Sequence, residues 1–307
     1  MSPSNHGHST FTYCPVDVVE VLSHQDLTGQ ITLLDEAPSF CGIWSEVREG
    51  RWRGLSVCVK TVRYIGRTAD ILKRGKFVAM YSREMASWAS CHHPNVLPFL
   101  GYCRDIGYGM SFISPWIHEG SIMSYLSQHV DADRLLLVGG VADGLFYLHN
   151  KSIIHGDIKP TNILVDVVNG HPLPLLCDFG VSRALNVSGY TTTSPQNGTI
   201  QYMARELLFP PSADEAICAT TLAAGDIWSF GMTIYEVFSD QMPYQDIQPH
   251  TRLYMHLFNN NLPARPGSPA IERGFDTALW EVLLTCWNLD PSSRPTIENL
   301  RKTLWQL

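Results

Sequence analysis

The sequence predicts an α+β protein in two lobes, a small β-rich first lobe with one helix and a larger, mainly α second lobe. Three observations carry this expectation. Between residues 55 and 60 the aliphatic side chains Leu55, Val57 and Val59 alternate with Ser56, Cys58 and Lys60, which is the two-residue period of a strand. After Gly120 the period lengthens. Leu135, Val138, Val141, Leu145 and Leu148 fall on one helical stripe, and Ile227, Phe230, Gly231, Ile234, Val237 and Phe238 fall on another. Finally, 307 residues of which 45% are hydrophobic and 17% charged are enough for one large domain or two lobes around a substantial core.

Residues 1–26 are expected to form a disordered tail and a lead-in. Met1 to Thr12 is rich in Ser, Thr, His and Asn and has too little apolar surface to order itself, whereas Val18, Val19, Val21 and Leu22 can pack against the domain that begins at 27. The strand at 55–60 places Cys58 and Lys60 on one face, and a lysine there meets a pocket or solvent. From Lys76 to Ser90, Phe77, Met80, Tyr81, Met85 and Trp88 recur at helical spacing with Glu84 on the same stripe, where a carboxylate requires a cationic partner. Pro94 and Asn95 end that helix, and Val96 to Cys103 and Met110 to Ser114 read as two further strands. The first lobe therefore runs from about 27 to 117 and the second from about 118 to 307. The second lobe's two helical stripes are joined by the short apolar strands Ile163-Leu164-Val165 and Leu173 to Cys177. Its last helices are expected over Ala278 to Trp287 and Ile297 to Leu304.

A net charge of −7 and no dense Lys/Arg run argue against nucleic acid or an acidic membrane as a partner. Eight scattered cysteines, without a C-x-x-C pair or zinc-type His/Cys spacing, read as reduced thiols of a cytoplasmic chain. The N-terminus lacks the apolar core of a secretory signal and no apolar run reaches membrane-spanning length, so no membrane insertion is expected and the sequons at Asn186 and Asn197 are incidental. The expected partners are a nucleotide and a protein. The oligomeric state is not legible.

The chemistry-bearing segments are His155-Gly156-Asp157-Ile158-Lys159-Pro160-Thr161-Asn162 and Cys177-Asp178-Phe179-Gly180. Phosphoryl transfer from ATP needs one carboxylate to take the proton of an acceptor hydroxyl, and a second carboxylate with an amide oxygen to hold magnesium against the phosphates. Asp157, Asp178 and Asn162 match those roles, and the Lys159 ammonium can neutralise charge on the transferring group. Asp157 read as a mere turn cap would leave Lys159 and Asn162 unexplained. With Val57-Cys58-Val59-Lys60, Glu84, His93-Pro94-Asn95-Val96, Met203-Ala204-Arg205-Glu206, Asp226 to Gly231 and Arg294, the chain from about Leu27 onward resembles a eukaryotic-type protein kinase. The group it is most similar to is the tyrosine-kinase-like group of Ser/Thr kinases.

That resemblance implies a bilobal kinase fold and a protein kinase that uses ATP and Mg2+ to phosphorylate Ser/Thr hydroxyls in intracellular signalling, with dual specificity left open. It implies that Lys60 pairs with Glu84 and holds the α- and β-phosphates, and that Gly42, Val47 and Cys58 line the nucleotide. Ser114 aligns with the gatekeeper, and Pro115 and Ile117 with the hinge that bonds adenine. Thr199 corresponds to the threonine that bonds the catalytic aspartate and lysine, Asp226 to a carboxylate that bonds the catalytic-loop backbone, and Arg294 with Glu206 to a structural ion pair. The glycine-rich loop departs from the family pattern: aligned as Phe40-Cys41-Gly42-Ile43-Trp44-Ser45-Glu46-Val47, only its middle glycine remains. Cys58 replaces an alanine beside the adenine, Gly156 the usual arginine, and Arg205 the usual proline. These departures define an alternative, a pseudokinase scaffold that binds nucleotide weakly or not at all. The complete set of ionic groups favours an active enzyme. A small-molecule phosphotransferase of the same fold is disfavoured by Thr199 and the long loop from Val181 to Gln201.

Overall fold

The computed structural model describes residues 25–35, 37–41, 45–62, 85–107, 110–178, 200–209 and 219–307. The chain divides into two compact units, one comprising residues up to 90 together with 99–116, the other 91–98 together with 117–307. No helix among the described residues is long and apolar enough to cross a membrane.

The first unit is built on an antiparallel six-stranded sheet. Its strands are β1 (Thr32–Leu33), β2 (Phe40–Cys41), β3 (Ser45–Trp52), β4 (Leu55–Val62), β5 (Gly101–Cys103) and β6 (Ser111–Pro115), in the order β1-β3-β4-β6-β5 with β2 also paired to β3. Arg53 and Gly54, both at positive φ, make the two-residue turn between β3 and β4. Leu55 sits at the mouth of that turn and is exposed, unlike the inward position its alternation suggests, because the strand has not yet entered the core there. Val57 and Val59 do enter it, packing with Leu27, Cys103, Ile106 and Ile113. Gly50 lies opposite Val57, where an added Cβ would crowd the Thr32 carbonyl at 3.1 Å and Val59 at 3.3 Å. Burial pushes the Cys103 thiol up to about 12. Of the helix expected over Lys76 to Ser90, residues 85–89 are helical and Ser90 is a turn, while residues 76–84, Glu84 among them, lie outside the described residues.

The second unit opens with α1 (Ile122–Gln128) and α2 (Arg134–Asn150), capped by the Ser121 and Asp133 side chains, which accept from the amides of Ser124 and Leu136. The hairpin β7 (Ile163–Val168) and β8 (His171–Leu176) turns at Asn169-Gly170, both at positive φ, the residue pair that a tight hairpin of this hand favours. Helices α3 (Arg205–Leu208), α4 (Ala219–Ser239), α5 (His250–Phe258), α6 (Ser268–Glu272), α7 (Thr277–Cys286) and α8 (Ile297–Leu304) complete it. The six residues read as the stripe of α4, from Ile227 to Phe238, are all buried.

Helix α2 comes very close to its neighbours because it lacks side chains where they meet. A Cβ at Gly139 would lie 2.8 Å from the Trp305 ring, at Gly140 2.7 Å from Pro174, and at Gly144 2.5 Å from the Asn95 carbonyl. Asn95 is itself tied to the hairpin: its Nδ2 donates to the Pro174 carbonyl at 2.9 Å, and the Leu176 amide donates to its carbonyl at 3.0 Å. The strand expected over Val96 to Cys103 is accordingly shorter, Gly101–Cys103. The Asn95 carbonyl and the Leu97 amide both bond Leu176 of β8, and residues 95–97 belong to the second unit.

Candidate active site

In the first unit, strand register decides which side chains share a face. Val47 lies opposite Lys60 and Lys60 opposite Phe112, while Cys58 lies opposite Ser114. Cross-strand partners and i, i+2 neighbours project to the same side, so Val47, Cys58, Lys60 and Ser114 line one face of the sheet. Phe112 on that face meets Trp88 of the helical residues 85–89 edge-on, with ring centroids 6.3 Å apart. Phe40 lies opposite Val47 and joins the same row, with 64% of its surface exposed. Aligned by motif, Phe40 takes the place of a glycine; by strand register it is a side chain presented on the lysine face. At the end of β6 the Ser114 hydroxyl donates weakly, at 3.4 Å, to the Pro115 carbonyl. In the second unit, the Ile117 carbonyl accepts from the Gly120 amide. Gly42 and Glu84 lie outside the described residues.

The second unit assembles the acidic groups at the open end of its hairpin. The Cys177 amide donates to the Asn162 carbonyl at 3.0 Å, extending the ladder by one rung and bringing Asp178, the next residue, to the catalytic-loop side. Asp178 has φ 62, left-handed for a residue other than glycine, a strained conformation of the kind that collects at functional sites. Lys159 Nζ stands 2.7 Å from Asp157 Oδ2. Asn162 Nδ2 donates to the same Oδ2 at 2.9 Å and to the Asp157 carbonyl at 2.8 Å. With its N–H pair so directed, the Asn162 amide turns its Oδ1 away from Asp157. An amide oxygen and a carboxylate are hard donors of the type that Mg2+ takes, so Asn162 and Asp178 could hold one. Thr199, Phe179, Gly180 and the loop to 199 lie outside the described residues.

The scaffold under this loop is polar and buried. Asp226, 2% exposed, accepts from the amides of His155 at 2.9 Å and Gly156 at 2.7 Å, and its Oδ2 lies 2.9 Å from His149 Nε2. His155 accepts from the Asp157 amide at Nδ1, which places the ring proton on Nε2. Complete burial holds its pKa below the ordinary histidine value, against the opposing pull of Asp226, Asp157, Asp178 and a hydrogen bond to the Cys177 backbone. Gly156 has φ 78, which glycine adopts without a Cβ penalty. Farther along, Arg294 forms a two-pronged pair with Glu206 at 2.6 and 2.9 Å, donates to the Ala224 and Asn288 carbonyls, and lies over the Trp228 ring. The Tyr202 hydroxyl donates to Glu236, and the Tyr202 carbonyl accepts from Ser229 Oγ at 2.8 Å. Sequence reasoning passed over this second tie, because a lone tyrosine does not mark it and Glu236 lies off the apolar stripe of α4.

The second unit carries a base candidate held by a lysine and an amide and a further carboxylate at the end of its hairpin, and the first unit by itself carries a strand lysine on a lined face; each is a part that phosphoryl transfer uses. The sequence profile described as "Protein tyrosine and serine/threonine kinase" matches residues 40–304. The chain belongs to this protein kinase family. Relatives support the placement. The chain is 28% identical to the dual specificity protein kinase splA of Dictyostelium discoideum over 84% of its own length and 11% of that protein's. It is 27% identical to the serine/threonine-protein kinase STY17 of Arabidopsis thaliana over 87% of its length and 43% of that protein's. It is also 27% identical to the tyrosine-protein kinase FRK of Homo sapiens, over 87% of the chain and 48% of that protein. The chain thus spans less than half the length of each. As a kinase domain it carries Arg205 where the family usually has proline, and the structure gives that arginine a role: its Nε donates to the Phe258 carbonyl at the end of α5, and its guanidinium lies 5.4 Å from the Phe258 ring. The family uses ATP with a divalent metal and acts on protein substrates.

Proposed function

We propose that the chain is an active protein serine/threonine kinase that transfers the γ-phosphoryl group of Mg2+-bound ATP to protein hydroxyls, in the cytoplasm. The observation that carries this reading is the Asp157 carboxylate, whose Oδ2 is shared by Lys159 Nζ at 2.7 Å and Asn162 Nδ2 at 2.9 Å. A carboxylate steadied in this way suits a base that takes the acceptor's proton. Lys159 then offsets charge on the moving phosphoryl group. In this reading Asn162 and Asp178 hold Mg2+, which would draw charge from the phosphate oxygens, and Lys60 takes the α- and β-phosphates. Val47, Cys58, Ser114 and Phe40 would line the adenine, with the backbone of Pro115 and Ile117 bonding its edge. Gly42, Glu84 and Thr199 keep the roles their motif positions suggest. The complete ionic set weighs against a scaffold without catalysis. Lys159 in D-I-K-P-x-N and Thr199 favour Ser/Thr as the acceptor.

The test is incubation of the purified chain with magnesium, labelled ATP and a generic protein substrate, followed by phosphoamino-acid analysis. Asp157→Asn should lower turnover by about a hundredfold with ATP affinity nearly unchanged. Transfer that does not depend on Asp157, or none at all, would remove the reading, and phosphotyrosine as the sole product would overturn the acceptor.

A further inference from the structure

Residues 25–30 precede the stretch matched by the family profile, which begins at 40, yet they are built into the sheet. Asp26 forms a parallel bridge with Tyr102 on β5, the strand at the free edge of the sheet, and the Leu27 amide donates to the Tyr102 carbonyl at 2.7 Å. Leu27 is 5% exposed and belongs to the first unit's core. Gly101 is shaped for this strap: a Cβ there would overlap the Gln25 carbonyl oxygen and approach Leu27 Cγ to 2.9 Å. The edge strand is therefore complementary to one particular segment.

The strap is fastened by a polar clasp around Thr28, which is exposed. The Thr28 hydroxyl donates to Asp26 Oδ1 at 2.5 Å and accepts from the Arg104 amide at 3.2 Å. The Gly29 amide donates to Asp105 Oδ2 at 2.8 Å, and Arg104 Nη2 stands 3.6 Å from Asp26 Oδ2 and donates to the Tyr102 hydroxyl at 3.0 Å. The solvent-facing Thr28 hydroxyl thus bonds one carboxylate directly, while a second carboxylate and a guanidinium hold the neighbouring Gly29 amide and Asp26. A phosphoryl group on that oxygen removes its donor hydrogen and sets two further negative charges beside Asp26, one residue from the amide that Asp105 holds.

We propose that residues 25–30 are a latch that orders β5 and β6, and that Thr28 is a modification site at which phosphorylation opens it. In the modification the Thr28 Oγ–phosphorus bond forms as the bond from the γ-phosphorus of ATP to its bridging oxygen breaks. ADP leaves with that electron pair and the hydroxyl proton passes to solvent. Opening withdraws Leu27 from the core and bares the edge of β5. Because β5 pairs directly with β6, through Gly101 opposite Ile113 and the Leu100 amide on the Ile113 carbonyl, the disturbance reaches the strand that carries Ser114.

The experiment is hydrogen exchange on the full chain carrying phosphate on Thr28, placed there during translation, beside the wild type, Thr28→Gln and Leu27→Ala. Phosphate should speed exchange at the amides of Leu27, Gly29 and Leu100 by about tenfold or more, as Leu27→Ala does, while Thr28→Gln stays near the wild type. Protection retained in the phosphorylated chain, or Thr28→Gln opening the strap equally, would overturn the proposal. Exchange that quickens at Leu27 and Gly29 but not at Leu100 would overturn the link to β6. ATP affinity, which rests on the nucleotide reading above, should also fall about threefold or more. A wild type that binds no ATP would sink that reading alone, since the exchange arm needs no nucleotide.

Discussion

Asp226→Asn is the sharpest probe of how the catalytic loop is held. In the folded protein the two Asp226 oxygens serve different donors, Oδ1 the Gly156 amide and Oδ2 the His155 amide, at a position 2% exposed. Asparagine keeps one acceptor and turns an N–H pair toward the other backbone donor. One hydrogen bond to a charged acceptor becomes neutral, a loss of about 1 kcal/mol, and one buried N–H is left facing a donor, a loss of about 1–3 kcal/mol. The sum is roughly 2–4 kcal/mol, and at about 2 °C per kcal/mol for a chain of this size the melting temperature should drop by about 4–8 °C. Gly156 immediately precedes Asp157, so a slackened loop misplaces the candidate base, and kcat should fall by about tenfold to a hundredfold. The KM for ATP should change little, because Lys60 and its face belong to the other unit. Differential scanning calorimetry and steady-state kinetics check both numbers. A melting temperature within about 1 °C of the wild type, together with kcat within about twofold, would refute the idea that Asp226 holds the loop.

Three further outcomes follow from the same geometry. Asp178→Asn should erase the additional thermal stabilisation that magnesium gives in the presence of ATP, read by a thermal-shift titration with and without the metal; equal magnesium responses in the two proteins would remove Asp178 from the metal's ligands. Arg294→Leu leaves the Glu206 carboxylate without its two-pronged partner and should cost about 3 kcal/mol, the lower end for a broken buried pair because the Glu206 side chain keeps 17% exposure; denaturant melts that move by less than about 1 kcal/mol would contradict it. His155, whose pKa burial lowers, stays neutral in the folded chain as pH falls below 6.5 while the unfolded chain takes up a proton. Stability should therefore decline with falling pH in that window, and an imidazolium signal from His155 in nitrogen-edited NMR of the folded protein at pH 6 would refute this.

The sequence exposed most of what repeats locally. The alternation around Lys60 and the stripe of α4 are legible because each period is imposed by its own backbone geometry, and the catalytic loop is legible because its residues lie within eight positions of one another. What escaped depends on register or on distant partners. That Phe40 shares the lysine face was not legible, because the motif gives its place in the loop but not the register of β2 on β3, and a shift of one position moves a side chain to the other face of a strand. Asp26 read as the end of a lead-in, and Thr28 just inside the domain carried no signal, because their partners Tyr102 and Arg104 lie more than 70 positions away. Val96 and Leu97 read as the start of β5 because an apolar run does not reveal that the Leu97 amide will bond the Leu176 carbonyl of the other unit.

The three glycines along α2 carry a consequence for the order in which the chain folds. Each is less favourable in a helix interior than alanine by about 1 kcal/mol, so α2 on its own is a poor helix and gains its stability from the surfaces that its missing side chains admit. One of those surfaces is Trp305, whose indole lies over Gly139 and whose Nε1 reaches Asp143, 162 positions earlier. The helix that leads into the catalytic loop therefore lacks one of its supports until residues near 305 have been synthesised and returned to it. A ribosome-bound chain stopped short of Trp305 should hold His155 to Asn162 on a weaker base, and the loop is fully supported only once almost all of the second unit has emerged.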